Sequence, residues 1–306
     1  MSVKISHLTK LYGLQRAVDD ISFEAQKGKV LGFLGPNGAG KSTTMKIITG
    51  FIPQSEGTVT VCGHDVQQEP LEVKNRVGYL PENNPLYYDM YVREYLEFVA
   101  RVHHLGSKTK ERISEMIEVT GLSSESKKKI GQLSKGYKQR VGIAQAMLHN
   151  PEVLILDEPT AGLDPNQLLE IRALIQSLGK EKTVILSTHI MQEVEAICDR
   201  VIIINKGKLV ADDTTDNLQQ RVKGSVAVRV EFKENVLAES LRKIKGVKSV
   251  QQERKEWMLY AEGKTDLREE ISRYAKENNL TLLTLKVEES SLEEVFKSLT
   301  TSNSKP

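Results

Sequence analysis

Residues 35–42 read GPNGAGKS and match the phosphate-loop pattern GxxxxGK[ST]. The loop follows the apolar run 30–34, which predicts a buried strand, and it precedes the helix-like segment 41–49. Its glycines allow backbone N–H groups to converge on phosphate oxygens, and the N-terminus of the helix adds the positive end of its dipole. This order of elements predicts nucleotide binding and an α/β fold of the P-loop NTPase class.

The side chains at the end of the loop predict two separate tasks. Lys41 can supply a positive charge to the β- and γ-phosphates, and the hydroxyl of Ser42 can hold Mg²⁺. The predicted nucleotide-binding residues of this segment are Gly35, Pro36, Asn37, Gly38, Ala39, Gly40, Lys41, Ser42 and Thr43.

A second apolar run, 153–156, ends in the acidic pair Asp157 and Glu158. A buried strand that delivers Asp157 beside Ser42 would complete the Mg²⁺ site. Glu158 points to the other side of the strand end, where it can polarise a water molecule for in-line attack. The alternative is that both acids simply leave the strand for solvent.

Composition excludes several classes of protein. The 306 residues carry 43 Lys and Arg against 41 Asp and Glu, and this balance gives no polybasic face for nucleic acid. No apolar run approaches the roughly 20 residues that span a bilayer, and the N-terminus lacks a signal peptide. Cys62 and Cys198 have no partners at metal or redox spacing, so we expect both to be small buried hydrophobes. We therefore expect a cytoplasmic protein.

The chain is predicted to contain two domains. Residues 1–222 form the nucleotide-binding domain, whose region 85–150 shows helical periodicity and is predicted to be a mostly helical subdomain. Residues 225–306 follow a β-α-β-α-β order, with a last helix predicted at 291–299, and predict a small α+β domain without a catalytic motif.

Three further motifs lie in a fixed order around the acidic pair. They are QLSKGYKQR at 132–140, AGLD at 161–164 and STH at 187–189. With the phosphate loop and LILDE, this order resembles the ATP-binding subunits of ABC transporters over roughly residues 1–220. The resemblance implies ATP and Mg²⁺ as ligands, ATP hydrolysis, and a dimer in which each chain completes the ATP site of the other. With one motif set in the chain, the simplest assembly is a homodimer.

The resemblance also assigns roles to individual residues. Ser134, Lys135, Gly136 and Tyr137 form a signature that faces the γ-phosphate held by the second subunit. Asp164 communicates across the interface. His189 contacts the γ-phosphate and orients the attacking water, although by itself it would be interpreted as a structural histidine. Tyr12 stacks on adenine, unless it is an ordinary turn tyrosine.

Two departures distinguish this sequence from the common family pattern. Glu82 stands where the family has glutamine, and it is predicted to keep the sensing role beside the metal. The signature reads LSKGY, with Lys135 and Tyr137 in place of glycine and glutamine. Both departures resemble the subfamily that serves ABC-2-type exporters. Residues 80–98 and 128–167 are further similar to the gliding-motility-associated ABC ATPase.

Five of the nine tyrosines fall between residues 79 and 95. Helical spacing assigns Tyr91, Tyr95 and Phe98 to a core, whereas Tyr87 and Tyr88 lie in a proline-flanked loop and are predicted to contact a partner. In transporters that this chain resembles, this region receives the membrane subunit. A separate membrane permease is therefore implied, with this chain at the inner face of the cell membrane.

Two other classes of function stay open on the sequence alone. One is a soluble ABC machine that acts on DNA or ribosomes, which the absence of sustained heptads and of a second motif set disfavours. The other is a GTP switch, since 205–208 superficially resembles the guanine-reading NKxD motif. In that motif an acid should stand where this chain has Lys208.

Overall fold

The structure, a computed structural model, describes residues 2–218, 227–253, 256–261 and 265–288. It divides into two compact units between Asp213 and Thr214. The predicted domain boundary, between 222 and 225, falls outside the described residues and stays a prediction. Each unit is described by itself.

The first unit contains two sheets. Its strands β1 to β10 are Val3–Tyr12, Gln15–Ala25, Val30–Leu34, Glu56–Val61, His64–Asp65, Val77–Leu80, Val153–Asp157, Thr183–Thr188, Arg200–Asn205 and Lys208–Thr214, the last of which reaches the division. Its helices α1 to α7 are Lys41–Ile48, Pro70–Arg76, Val92–Val102, Thr109–Val119, Lys135–Met147, Pro165–Gly179 and Met191–Ile197. None of the helices in the described part of the chain has the length and apolar character needed to cross a membrane.

A six-stranded sheet has the order β10-β9-β3-β8-β7-β6. Strand β3 pairs in parallel with β8 and β9, and β7 pairs in parallel with β6 and β8. The three apolar runs of the sequence are β3, β7 and β8, which lie side by side and are buried along their whole length. This parallel sheet confirms the predicted α/β fold. The three strands are apolar at every position because both faces of the sheet are covered.

The sequence did not indicate the other sheet, which is antiparallel with the order β2-β1-β4-β5. The pairing of β1 with β2 shifts register between Ile5 and Leu8, where His7 has a φ of 52°. Such an irregularity interrupts the alternation of buried and exposed side chains that identifies a strand. Helix α1 buries Met45 and Ile48 in a core shared by both sheets.

Helices α3, α4 and α5 form the predicted helical subdomain, and α5 packs against β6. Tyr95 is buried as predicted, but Tyr91 and Phe98 are 48% and 41% exposed, so their assignment to the core is wrong. Phe98 lies outside the buried stripe of α3, which is centred on Leu96 and Val99, and Tyr91 is the N-cap residue that precedes the helix.

The two cysteines differ in burial. Cys198 is buried, as predicted, whereas Cys62 is only partly buried because it begins the turn between β4 and β5. Neither cysteine forms a disulfide bond.

The second unit contains one four-stranded antiparallel sheet among its described residues. Its elements are β11 (Ala227–Phe232), α8 (Ala238–Leu241), β12 (Val247–Glu253), β13 (Glu256–Ala261), α9 (Arg268–Glu277) and β14 (Leu282–Glu288). The sheet order β12-β13-β11-β14 and the β-α-β-β-α-β sequence are those of a ferredoxin-like unit. Strand β12 is mostly polar and was not predicted from the sequence, and the helix predicted at 291–299 lies outside the described residues.

Candidate functional site

The site lies where four parallel strands end. The register pairs Leu34 with Thr188, Asp157 with Ser187 and Leu80 with Leu156, so β3, β8, β7 and β6 end at one edge of the sheet. Ligands of open α/β sheets bind outside the carboxyl ends of such strands. Sequence segments that are far apart in the chain are brought together here by the strand order.

A pocket of about 460 Å³ opens at this edge, a volume in the usual range for small-molecule sites. Its lining residues are Tyr12, Gln15, Ala17, Asn37, Gly38, Gly40, Lys41, Ser42, Thr43, Glu82, Glu158, Ala161 and His189. The pocket therefore joins the predicted phosphate loop to the predicted adenine-stacking tyrosine, to Glu82 and to both predicted catalytic residues.

The phosphate loop is shaped for anions. Gly40 has a φ of 111°, and a Cβ atom at this position would lie 2.5 Å from the carbonyl oxygen of Ala17. Only glycine fits there. No side chain caps the N-terminus of α1 and its first turn carries no acidic residue. The first N–H groups of α1 are thus available to the pocket, which suits the phosphates of a nucleotide.

Lys41 is held in place by oxygen atoms of its own chain. Its side chain is 6% exposed, and Nζ donates to the carbonyl oxygens of Gly35 at 2.7 Å and Pro36 at 3.3 Å. The same Nζ lies 3.6 Å from Oε1 of Glu158. An ammonium group fixed by three oxygens loses little freedom on binding an anion, so the site is preorganised.

Glu158 and His189 contact one another. Nδ1 of His189 lies 3.0 and 2.9 Å from the two carboxylate oxygens of Glu158. Because a carboxylate only accepts hydrogen bonds, this nitrogen carries the proton and donates it. Glu158 is 6% exposed and Asp157 1% exposed, so the alternative that the two acids leave the strand for solvent is wrong.

The backbone at Glu158 is strained, with a φ of 52°. Its N–H donates to the carbonyl oxygen of Ser187 at 3.0 Å, and its own carbonyl oxygen accepts from Ala161 at 3.2 Å. A non-glycine residue in the left-handed region is costly and persists where its surroundings fix it, often at a functional site.

Asp157 is buried and is not among the described residues that line the pocket. Its carboxylate accepts a hydrogen bond from the hydroxyl of Ser187, a residue to which the sequence analysis gave no role. Burial, together with the charges of Asp157 and Glu82, raises the pKa of the Tyr79 hydroxyl. The hydroxyl of Ser42 and the carboxylates of Asp157 and Glu82 are oxygen donors of the kind that Mg²⁺ prefers.

The signature residues, 134–137, lie at the start of α5. None of Ser134, Lys135, Gly136 or Tyr137 is among the described residues that line the pocket. Ser134 caps the N-terminus of α5, with its hydroxyl oxygen accepting from the N–H of Tyr137 at 3.3 Å. Their predicted role at a second subunit's phosphate stays a prediction.

Asp164 has a function within its own chain that the sequence analysis missed. Its carboxylate accepts from the N–H groups of Asn166 at 3.1 Å and Gln167 at 3.0 Å, and it thereby caps α6. This capping role could have been predicted from the sequence, because an acid followed by proline, here Pro165, is a usual start of a helix. Its predicted role between subunits is not tested by this contact.

Gln139 is a second residue that the sequence analysis missed. It is buried in α5, where Nε2 donates to the carbonyl oxygen of Pro159 at 3.1 Å and Oε1 accepts from Asn84 at 3.2 Å. It therefore links the loop after Glu82 to the turn that carries Glu158.

The NKxD-like segment belongs to a hairpin. Lys206 and Gly207, with φ values of 49° and 80°, connect β9 to β10 in the conformation of a type I′ turn. These residues are absent from the lining of the pocket. The segment thus has a structural explanation, and the hypothesis of a GTP switch loses its support.

The fold and the pocket define a P-loop nucleoside triphosphatase with a helical subdomain. The family model for the ABC transporter matches residues 18–161. The bacitracin transport ATP-binding protein BcrA of Bacillus licheniformis is 42% identical over 221 residues, which are 72% of each chain. The linearmycin resistance ATP-binding protein LnrL of Bacillus subtilis (strain 168) is 34% identical over 97% of this chain and 98% of its own. The chain belongs to the ATP-binding subunits of ABC transporters and is an ATPase.

Solved structures agree with this family. A structure of an ATP-binding subunit of an ABC transporter has a TM-score of 0.65 and 29% identity, covering 72% of this chain and 93% of that one. The cassette MJ0796, as a post-hydrolysis dimer bound to ADP and Pi, has a TM-score of 0.64 and 25% identity, with 69% and 98% covered.

Proposed function

We propose that this chain is the ATP-hydrolysing subunit of an ABC-2-type exporter and drives a separate membrane permease. The observation that carries the hydrolytic part of the proposal is the joint contact of the buried Glu158 with the buried Lys41 and the exposed His189 at the pocket. An acid in contact with both a phosphate-binding cation and a histidine is the arrangement that activation of water beside a terminal phosphate requires.

Each residue has one proposed task. Tyr12 stacks on the adenine ring, the N–H groups at residues 38–43 bind the phosphates, and Lys41 neutralises their charge. Glu158 accepts the proton of the attacking water, while His189 orients that water and the terminal phosphate. Ser42, Asp157 and Glu82 would hold Mg²⁺, which supplies further charge neutralisation when it is bound.

We propose that two copies of this chain close around two ATP molecules. The pocket holds the phosphate loop but not residues 134–137, which begin α5 with an exposed serine and an exposed lysine. A helix N-terminus attracts anions, so it can complete the pocket of a second copy. The cassette MJ0796, which was solved as a dimer, supports the same assembly. Asp164, at the start of the neighbouring helix α6, would then lie near that interface.

The permease is proposed to dock on the aromatic patch formed by Tyr87, Tyr88 and Phe98. These side chains are 55%, 55% and 41% exposed, and the ring of Tyr87 packs edge-on against Phe98 with centroids 5.7 Å apart. Exposed aromatic groups of this kind are enriched at protein interfaces.

Replacing Tyr87 and Tyr88 together by alanine is expected to abolish co-purification with the membrane subunit and to leave ATPase activity of the isolated chain unchanged. Loss of two anchoring side chains costs about 2 kcal/mol or more each at an interface. The control is Phe51→Ala, which removes another exposed ring, 72% accessible, outside the patch. Capture of the permease by the double variant at the wild-type level would contradict the docking proposal.

Glu82 is proposed to bind the metal or the attacking water despite its charge. We expect Glu82→Gln to keep most of the ATPase turnover, because the amide retains one oxygen ligand, and Glu82→Ala to lose about tenfold. The measurement is the steady-state ATPase rate of each Glu82 variant, and the control is Asn83→Ala, which changes the exposed neighbouring residue. Wild-type rates in both Glu82 variants would show that Glu82 does not contribute to ATP hydrolysis.

The proposed cargo class follows from the names of relatives. BcrA is named for bacitracin transport and LnrL for linearmycin resistance, so we propose export of an antibiotic-like compound. A role in gliding motility rests on residues 80–98 and 128–167 alone and stays a prediction. We place the subunit in the cytoplasm at the inner face of the membrane, where its permease would hold it. Identification of the membrane protein that co-purifies with the chain tests these points together.

A further inference from the structure

Helix α7 carries a fully buried carboxylate outside the pocket. The side chain of Glu193 has no exposed surface, and Oε2 accepts a hydrogen bond from Oγ1 of Thr188 at 2.7 Å. Its other oxygen, Oε1, accepts from the hydroxyl of Thr160. Both threonines are themselves buried. One acid thus connects the segment that precedes His189 to the turn that follows Glu158.

Each threonine fixes one of the proposed catalytic residues. The hydroxyl of Thr188 donates to Glu193 and accepts from the N–H of Ile190 at 3.1 Å, so it spans the backbone on both sides of His189. Thr160 belongs to the turn in which the N–H of Ala161 donates to the carbonyl oxygen of Glu158. The contacts of Glu193 therefore converge on the two loops whose side chains meet at 2.9 Å.

Packing alone does not account for an acid at this position. Among the described residues, no Lys, Arg or His forms a salt bridge with Glu193. An apolar side chain of similar volume would avoid the cost of removing a carboxylate from water. The strained backbone of Glu158, with its φ of 52°, also needs neighbours that fix it. Glu193 supplies such a restraint.

We propose that Glu193 is a positioning residue for ATP hydrolysis, which holds Glu158 and His189 in contact by accepting hydrogen bonds from Thr160 and Thr188. The inference rests on the proposed roles of Glu158 and His189. It predicts that Glu193 affects turnover more than the binding of ATP, because its hydrogen bonds are to Thr160 and Thr188 and not to a residue of the phosphate loop itself.

The experiment compares steady-state ATPase kinetics and thermal unfolding of isosteric variants of the full chain. Glu193→Gln replaces one accepting oxygen by a donor, and we expect kcat to fall about tenfold with KM changed less than about twofold, since small misplacement of reacting groups costs much in rate. Glu195→Gln makes the same chemical change on the exposed face of α7 and is expected to match wild type.

A second pair of variants keeps the test independent of any folding defect. Thr160→Val removes the hydroxyl and is expected to lower kcat as Glu193→Gln does, whereas Thr160→Ser restores the hydroxyl and most of the rate. Combining Glu193→Gln with Thr160→Val should cost less than the sum of the two single effects, because both variants disturb the hydrogen bond between these two side chains.

Several results would overturn the inference. Wild-type kcat in Glu193→Gln, or equal losses in Thr160→Ser and Thr160→Val, would show that the buried contacts do not position the site. An equal loss in Glu195→Gln would trace the effect to the charge of the helix. A Glu158→Gln reference that still hydrolyses ATP would instead refute the proposed role of Glu158, and with it the basis of this inference.

Discussion

Glu158→Gln is expected to lower the rate of ATP hydrolysis by about 10²–10⁴-fold, the usual contribution of a general base, while ATP still binds. The amide has nearly the shape of the carboxylate but cannot take a proton from water. Glu158 is buried next to Lys41 and contacts His189, so its carboxylate has a fixed place in the pocket. Single-turnover hydrolysis and equilibrium binding of ATP, measured on the same preparation, separate the two effects.

The same variant tests the proposed dimer. If two chains enclose ATP, a variant that binds but does not hydrolyse it should accumulate as a dimer with Mg²⁺ and ATP, visible in sedimentation or size-exclusion experiments. The control is Glu152→Gln, an exposed acid before the same strand, which should turn over normally and stay mostly monomeric. A Glu158→Gln chain that stays monomeric at saturating ATP, even with its permease added, is incompatible with the composite site.

Lys41→Met is expected to weaken ATP binding by about 30- to 5,000-fold, because truncating one member of a buried charge pair costs about 2–5 kcal/mol. The side chain of Lys41 is already desolvated and held by loop carbonyl oxygens, so its ammonium group is placed at the phosphate loop at little further cost. Titration of the variant with a fluorescent ATP analogue measures the change in Kd.

The matched control for that change is Lys46→Met, which removes a lysine from the last turn of the same helix. It should bind ATP with wild-type affinity and unfold at nearly the wild-type temperature. Equal loss of affinity in the two variants would mean that the overall charge of α1, and not the position of Lys41, governs binding. Unchanged affinity in Lys41→Met would remove the lysine from the phosphate site.

Local patterns predicted the central part of the fold. The buried strands β3, β7 and β8 were visible because a strand covered on both faces is apolar at every position. The antiparallel sheet was not visible, since bulges such as that at His7 break its alternation. In the second unit, β12 was missed because its residues are mostly polar and its place is fixed by pairing with β13.

The same distinction holds within the site. Residues 35–43 predicted a phosphate loop because the glycines, lysine and serine act through the backbone of one short segment. Glu158 was predicted as the base from its place at a strand end, and its contact with His189 follows only from the adjacency of β7 and β8. Gln139 was recognised only as part of the motif at 132–140, and Glu193 was not predicted at all, because the partners of both lie in distant segments of the chain.

The amino-acid sequence by itself determined that this chain binds a nucleotide on a P-loop and belongs with ABC ATPases. Each of those motifs is a short continuous segment, so its chemistry can be recognised without knowing what packs against it. Only the tertiary structure decided which acid meets the lysine, which histidine meets the acid, and that Glu193 restrains both loops. Strand order sets those distances, and strand order depends on burial summed over the whole domain rather than on any one segment.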